Sequence, residues 1–212
     1  LKRPRHVAGT TTVQASAPMV SDSDVVPMLP KGVDPSCVGD EKWQHMHDAR
    51  LGKDVCMYRF MLSKHASRVQ AGQPLKLAGF DMDWTIIQTK TGKTHPVDAD
   101  DWCIWRNCAK VKKKLRALHD DGYAVVVLSN QGRLDGAGGT TPGDLQRKIE
   151  NIQQEIGVPF SYLASMGTIS LMRKPCTGMW DWSAAVLQHH CGTSGVDMAE
   201  SFFVGDAAGR PD

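Results

Sequence analysis

The stretch Lys76-Leu-Ala-Gly-Phe-Asp-Met-Asp-Trp-Thr-Ile-Ile87 decides the fold. An apolar run ends in two carboxylates, Asp81 and Asp83, with a hydroxyl residue, Thr85, close behind. Strand alternation would point both acids the same way, but the chain is leaving the strand here. Acids at the carboxyl end of a buried strand stand where open α/β sheets place their chemistry. A pair at such a place suits Mg²⁺ binding with nucleophilic or acid–base work. The same residues serve equally well as an Asx-type turn closing a strand, so the surrounding sequence must choose.

Outward from this stretch the pattern is one of alternating strands and helices. Val55 to Met61 reads as a short strand and Leu75 to Phe80 as a stronger one. Residues 88–105 are polar and rich in Thr, Gly and Asp, as a loop or flap would be. Val111, Leu115 and Leu118 follow helical spacing, and Asp120-Asp121-Gly122 ends that helix. Tyr123 to Leu128 is a continuous apolar run, the mark of a strand buried on both faces. Thr141 caps a second helix with Pro142 in its first position, and Leu145, Ile149, Ile152 and Ile156 repeat along it before Gly157. Phe160 to Ala164 is a further strand. Thr177 opens a third helix with Trp180, Ala184, Leu187 and Cys191 on one face, and Ser201 to Val204 is a last strand running into Gly205-Asp206. This order predicts an α/β fold with a doubly wound parallel sheet.

The bulk numbers narrow the classes. A chain of 212 residues buries one good core, with room for a small appendage. A net charge of +2 is too small to imply nucleic acid by itself, so any anion-binding face must be local. The six cysteines, at 37, 56, 103, 108, 176 and 191, form no CxxC pair and no zinc-like cluster with histidine. They read as reduced thiols of an intracellular protein. No apolar stretch approaches a membrane span, and the start is not a signal peptide. Residues 1–40 are polar and aperiodic and read as a flexible N-terminal extension, with 41–212 as the globular domain. Lys2-Arg-Pro-Arg5 is a short basic cluster, either a nuclear address or a solvated tail. Thr91-Gly92-Lys93-Thr94 is not a phosphate-binding P-loop, because the required earlier glycine is Ile87. No ATP-dependent kinase activity is expected from it.

Three more element boundaries carry polar residues: Ser129-Asn130-Gln131, Arg173-Lys174-Pro175 and Gly205-Asp206. Acid pair, hydroxyl, lysine and acid, in that order, resemble the haloacid dehalogenase (HAD) superfamily of phosphotransferases. Longer stretches narrow the resemblance to the polynucleotide 3′-phosphatase family, including the phosphatase half of polynucleotide kinase 3′-phosphatase. They are Gly79-Phe-Asp-Met-Asp-Trp-Thr-Ile-Ile87, Thr89-Lys-Thr-Gly-Lys93, Asp101-Trp102, Ser129-Asn-Gln131, Arg173-Lys-Pro-Cys-Thr-Gly-Met-Trp-Asp181 and Ser201-Phe-Phe-Val-Gly-Asp-Ala-Ala-Gly-Arg-Pro211. The similarity covers roughly Trp43 to Pro211. The chain departs from the family at Trp84, where Gly is frequent, and at His95, where the flap usually has an aromatic residue. It departs again at Gly132 to Gly139, where Arg133 is the one phosphate contact kept. The family continues through another strand and helix beyond Asp212, so the domain reads as truncated at its C-terminus.

The resemblance implies a HAD-like domain without a large cap, and a Mg²⁺-dependent phosphatase that clears 3′-phosphates from DNA strand breaks. It implies Asp81 as nucleophile and Asp83 as general acid and then base, with Ser129 and Lys174 on the phosphate. Mg²⁺ would be held by Asp81, the main-chain carbonyl of Asp83, and Asp206. Asn130, Arg133, Arg173 and Lys93 would meet the substrate, with Lys90 and Arg106 along the approach. The implied partners are DNA ends bearing 3′-phosphate and DNA-repair proteins, with no membrane; the protein would be a monomer in the nucleus, with a mitochondrial pool equally compatible. Spacing adds an independent point: neither Thr85 to Ser129 nor Asn130 to Lys174 leaves room for a lid domain, and an open site suits the end of a polymer. Two other readings stand beside this one. The first is a small-molecule phosphatase such as histidinol-phosphatase; the second is a catalytically weak domain that binds DNA ends or repair partners.

Overall fold

The computed structural model describes residues 34–106, 108–135, 140–167 and 170–207. The basic cluster Lys2 to Arg5, most of the extension expected over 1–40, and residues 208–212 lie outside the described residues. Within them, the strands are β1 (Trp43–Asp48), β2 (Lys53–Arg59), β3 (Leu77–Phe80), β4 (Ile87–Gln88), β5 (Cys103–Ile104), β6 (Ala124–Gln131), β7 (Ser161–Met166) and β8 (Phe202–Val204). The helices are α1 (Leu62–Ala66), α2 (Cys108–Asp120), α3 (Pro142–Ile156) and α4 (Gly178–Cys191). Six strands form the main sheet in the order β1-β2-β7-β6-β3-β8, and β4 and β5 form a separate two-stranded ribbon.

β7, β6, β3 and β8 are parallel. β2 joins β7 antiparallel and β1 closes a hairpin on β2, so the expected parallel sheet gains an antiparallel flank. Alternate residues of the apolar run feed two cores. Val125 and Val127 of β6 pack with Leu115 of α2 and Leu145, Ile149 and Ile152 of α3. Ala124, Val126 and Leu128 face the other way, onto Met179, Trp182, Val186 and Leu187 of α4. The sheet is therefore covered on both sides, which is why this strand shows no polar alternation.

α4 is buried more broadly than the stripe Trp180, Ala184, Leu187 and Cys191 predicts, with Met179, Trp182, Ser183 and Val186 also buried. Its outer side is packed by α1 and by the short 3₁₀ turn Pro35–Cys37. His190 Nε2 donates to the Pro35 carbonyl at 3.0 Å. α3 keeps its expected bounds through local chemistry. Thr141 Oγ1 accepts from the Asp144 N–H at 3.1 Å while the Asp144 carboxylate accepts from the Thr141 N–H at 3.2 Å, a complete capping box. Gly157 ends the helix at φ 68°, a left-handed conformation natural to glycine. Thr141→Ala should cost about 1 kcal/mol of stability, the usual worth of a cap. Urea denaturation checks this, and an unchanged midpoint would remove the cap from the account of α3.

From β3 the chain winds outward through β6 and β7, then returns by α4 to β8 on the opposite side of β3. The winding direction thus reverses between β3 and β8. Their carboxyl ends flank the crevice where open sheets bind ligands. Gly79 makes the close packing here possible, since a Cβ on it would lie 2.8 Å from the Trp180 ring and 3.0 Å from Phe203.

Candidate active site

Asp81 leaves β3 at this crevice, and its N–H donates to the Val204 carbonyl of β8 at 2.8 Å. Its Oδ1 accepts from the Met82 N–H at 2.7 Å and pairs with Lys174 Nζ at 2.7 Å. Lys174 Nζ also donates to the Leu128 carbonyl of β6 at 2.8 Å. The main chain of Lys174 is held in turn by Asn130, which accepts its N–H and donates to its carbonyl, both at 3.0 Å. Ser129, Asn130 and Gln131 do not follow a strand, as expected, but are its last three residues, because the parallel ladder with β7 runs on to Met166. Strand alternation therefore sends Asn130 toward Lys174 and sends Ser129 and Gln131 to the opposite face.

On that face stands Asp83. Gln131 Nε2 donates both to its Oδ2 at 3.1 Å and to Ser129 Oγ at 2.8 Å. The two acids thus have different partners: Asp81 turns to the lysine, Asp83 to the amide. Burial pushes the Asp83 carboxyl above its ordinary pKa and the Asp81 charge adds to the push, against opposing effects of Lys148, Gln131 and Lys174. A carboxyl pushed toward its protonated form beside one paired with a lysine is an arrangement suited to a general acid next to a nucleophile.

The turn between the acids is tightly built. The Met82 carbonyl accepts from the N–H groups of Ile86 and Ile87, at 3.0 and 3.1 Å, and Trp84 N–H donates to the Ile87 carbonyl at 2.7 Å. This closure puts Trp84 at φ 59°. A side chain in that left-handed region costs about 1–2 kcal/mol, so the position asks for the glycine that this chain lacks.

Beyond the turn, β4 and β5 form the base of the flap expected at 88–105. Asp101 holds it together from a buried position, accepting from Thr91 N–H at 2.9 Å, Thr91 Oγ1 at 2.8 Å and Val97 N–H at 3.0 Å. Lys90 donates to the Asp100 carbonyl at 3.0 Å within the flap. Lys93 is exposed on it, and Arg106 lies 5.1 Å from the Trp105 ring.

A cleft of about 990 Å³ opens between this turn, the flap, the end of β6 and α3. Asp83, Trp84, Asn130 and Arg173 line it, together with Arg147 and Lys148. Lys93 and Arg106 do not border it. Arg133 falls in the 3₁₀ turn Gly132–Asp135, and its side chain lies outside the described residues. Lys148 was not expected here. It is 7% exposed, and burial lowers its pKa against the attraction of Asp83 and Asp101. A signal existed in the sequence: Lys148 sits on the stripe Leu145, Ile149, Ile152, where a cation is out of place unless something anionic awaits it.

Asp206 follows β8 one residue after Gly205, whose Cβ, if present, would lie 3.4 Å from that of Asp81. Among the described residues no three His, Cys, Asp or Glu side chains form a ready-made metal site. The set expected for Mg²⁺ needs only two carboxylates, with a main-chain carbonyl between them. These are hard oxygen donors at the mouth of one crevice, and they fit Mg²⁺ rather than zinc.

Residues 76–212 match the model of the polynucleotide kinase 3 phosphatase family. The chain belongs to that family. An uncharacterized 20.8 kDa protein of Autographa californica nuclear polyhedrosis virus is 42% identical over 135 residues, covering 64% of this chain and 68% of that protein. The bifunctional polynucleotide phosphatase/kinase of Schizosaccharomyces pombe is 37% identical over 139 residues, with 64% and 31% covered. The polynucleotide 3′-phosphatase ZDP of Arabidopsis thaliana is 31% identical over 147 residues, with 64% and 20% covered. The chain thus spans less than a third of these last two relatives. Membership of the polynucleotide kinase 3 phosphatase family bears out the reading as a phosphatase enzyme, and the described sheet bears out the expected α/β fold. No helix of the described residues is long and apolar enough to cross a membrane.

Proposed function

We propose that this chain removes 3′-phosphate groups from the ends of broken DNA by way of an aspartyl-phosphate on Asp81. The observation that carries the reading is the pairing of Asp81 with Lys174 at 2.7 Å, at the sheet's switch point, beside a half-buried Asp83 whose carboxyl is pushed above its ordinary pKa by desolvation. The Asp81 carboxylate attacks phosphorus as the bond to the 3′-oxygen breaks, and the Asp83 proton passes to that oxygen. Asp83, now a carboxylate, takes a proton from a water that attacks the same phosphorus and frees Asp81. Lys174 offsets charge on nucleophile and phosphate, Ser129 donates to a phosphate oxygen, and Asn130 keeps Lys174 in place. Arg173, with Lys148 and Arg147, grips the approaching strand; Arg133 and Lys93 extend that grip.

Asp81, Asp206 and the Asp83 carbonyl would hold Mg²⁺, whose charge eases the approach of a carboxylate to a phosphate dianion. Asp206→Asn should raise the Mg²⁺ concentration for half-maximal rate by about tenfold or more. An unchanged Mg²⁺ titration would remove Asp206 from the metal site. On the DNA-end reading the protein works in the nucleus, with a mitochondrial pool equally compatible, beside DNA-repair partners, and its domain spans about residues 41–212.

Phosphate release tests the reading, measured on a 3′-phosphorylated oligonucleotide, its 5′-phosphorylated counterpart and histidinol phosphate. Selective release from the 3′ end is expected. Preference for histidinol phosphate would overturn the substrate, and release from none of the three would overturn the activity.

A further inference from the structure

Trp84 is costly where it stands: the turn imposes the φ, but glycine would meet it without strain, so the turn does not account for a tryptophan. Its φ of 59° is one that side chains rarely adopt. Strain of that kind persists where the surroundings over-determine it, and such sites cluster at ligand clamps. The surroundings here do so. The Trp84 ring meets the Trp105 ring edge to face, with centroids 5.7 Å apart and planes at 82°. Trp84 Nε1 donates to the Thr94 carbonyl of the flap at 3.4 Å. The Arg106 guanidinium lies 5.1 Å from Trp105 and backs that ring.

A purely structural tryptophan so fixed would be expected to disappear into the core. Trp84 does not; it remains half-exposed and forms part of the cleft wall beside Asp83. The same cleft presents Arg147, Lys148 and Arg173. A fixed aromatic surface next to cations is the arrangement that binds single-stranded nucleic acid, because every base offers a π face and every linkage a charge. No such surface is needed for the phosphate alone.

We infer that Trp84 is the stacking surface for the base of the 3′-terminal nucleotide, so that the cleft grips an oligonucleotide end by its base as well as its phosphate. The inference rests on the DNA-end reading above and names the subsite that makes the substrate a nucleotide. Trp84 positions substrate and takes no part in proton or phosphoryl transfer.

The test compares the full chain with Trp84→Gly, a substitution the backbone favours at this φ. Two substrates are used, a 3′-phosphorylated oligonucleotide and p-nitrophenyl phosphate, which has no base. The ratio of kcat/KM values, oligonucleotide over small ester, should fall about tenfold in Trp84→Gly and be largely restored in Trp84→Phe. An unchanged ratio, or equal losses on both substrates, would overturn the inference. A second measurement does not depend on turnover: 2-aminopurine at the 3′-terminal position of a bound oligonucleotide should be quenched by Asp81→Asn protein and not by the Asp81→Asn/Trp84→Gly double variant. Quenching that survives in the double variant would also overturn it. The two readings fail differently. A wild-type enzyme that ignores the oligonucleotide removes the DNA-end reading, whereas one that cleaves it with no dependence on Trp84 removes only the stacking.

Discussion

Asp81→Asn is expected to abolish phosphate release, lowering kcat by about 10⁴-fold or more, as the loss of a covalent nucleophile does. The amide is nearly isosteric, and its oxygen can still accept the Met82 N–H that Oδ1 accepts at 2.7 Å. What disappears is the charge that pairs with Lys174. The turn, the flap and the two cores are otherwise untouched, so the melting transition should stay close to that of the parent protein. A phosphoprotein trapped by acid quench during turnover should be present in the parent and absent in the variant. Residual turnover above about 1% would exclude Asp81 as the nucleophile, since a bystander carboxylate would leave most of the chemistry in place.

Lys174→Met should come next in size. It keeps the length of the side chain and removes both the ion pair to Asp81 and the hydrogen bond to the Leu128 carbonyl. A preorganised charge aimed at the transition state is worth roughly 10²–10³-fold in rate, so kcat should fall by that much while KM changes less. Lys174→Arg should not restore it, because the planar guanidinium cannot place one compact charge between a carboxylate and a strand carbonyl. Steady-state kinetics on the 3′-phosphorylated oligonucleotide separate the cases. A change confined to KM would assign Lys174 to gripping substrate and leave the nucleophile's charge balance to other groups.

How much of this could be seen in the sequence varies element by element, for physical reasons. The runs at Leu75 to Phe80, Tyr123 to Leu128 and Phe160 to Ala164 were legible because strands buried on both faces must be apolar throughout. α3 was legible because capping box, proline and terminal glycine mark its ends independently of packing. β1 was not. In Trp-Gln-His-Met-His-Asp only Met46 is buried, and the strand is secured by pairing with β2 and by His45 and His47 on Asp54, contacts that leave no period. α1 was missed because a five-residue helix carries too little pattern to read. The wider burial of α4 escaped because its outer cover comes from elements distant in sequence.

The site divides in the same way. The acids, Ser129 and Lys174 were nameable one by one, since each stands at an element boundary. Gln131's contact with Asp83 was not, because it depends on side-chain parity in a strand whose end was placed too early; Lys148 showed only as a cation on the apolar stripe of α3, with nothing in the letters to say that it meets the cleft. Trp84 was visible as an oddity, but its φ could not be read from the letters.

The sheet order carries a further consequence. β3, which leads into Asp81, the proposed nucleophile, lies between β6 and β8, and β8 is the last of the described strands. Asp81 is set against Lys174 on the β6 side, but Asp206 follows β8, which pairs with β3 from far along the sequence. Contacts so distant in sequence form late. A chain in which β8 has yet to dock would hold Asp81 paired with Lys174 and still short of Asp206, the third group of the proposed Mg²⁺ set. Docking of β8 against β3 would thus be the step that completes the proposed site, with no inhibitor required.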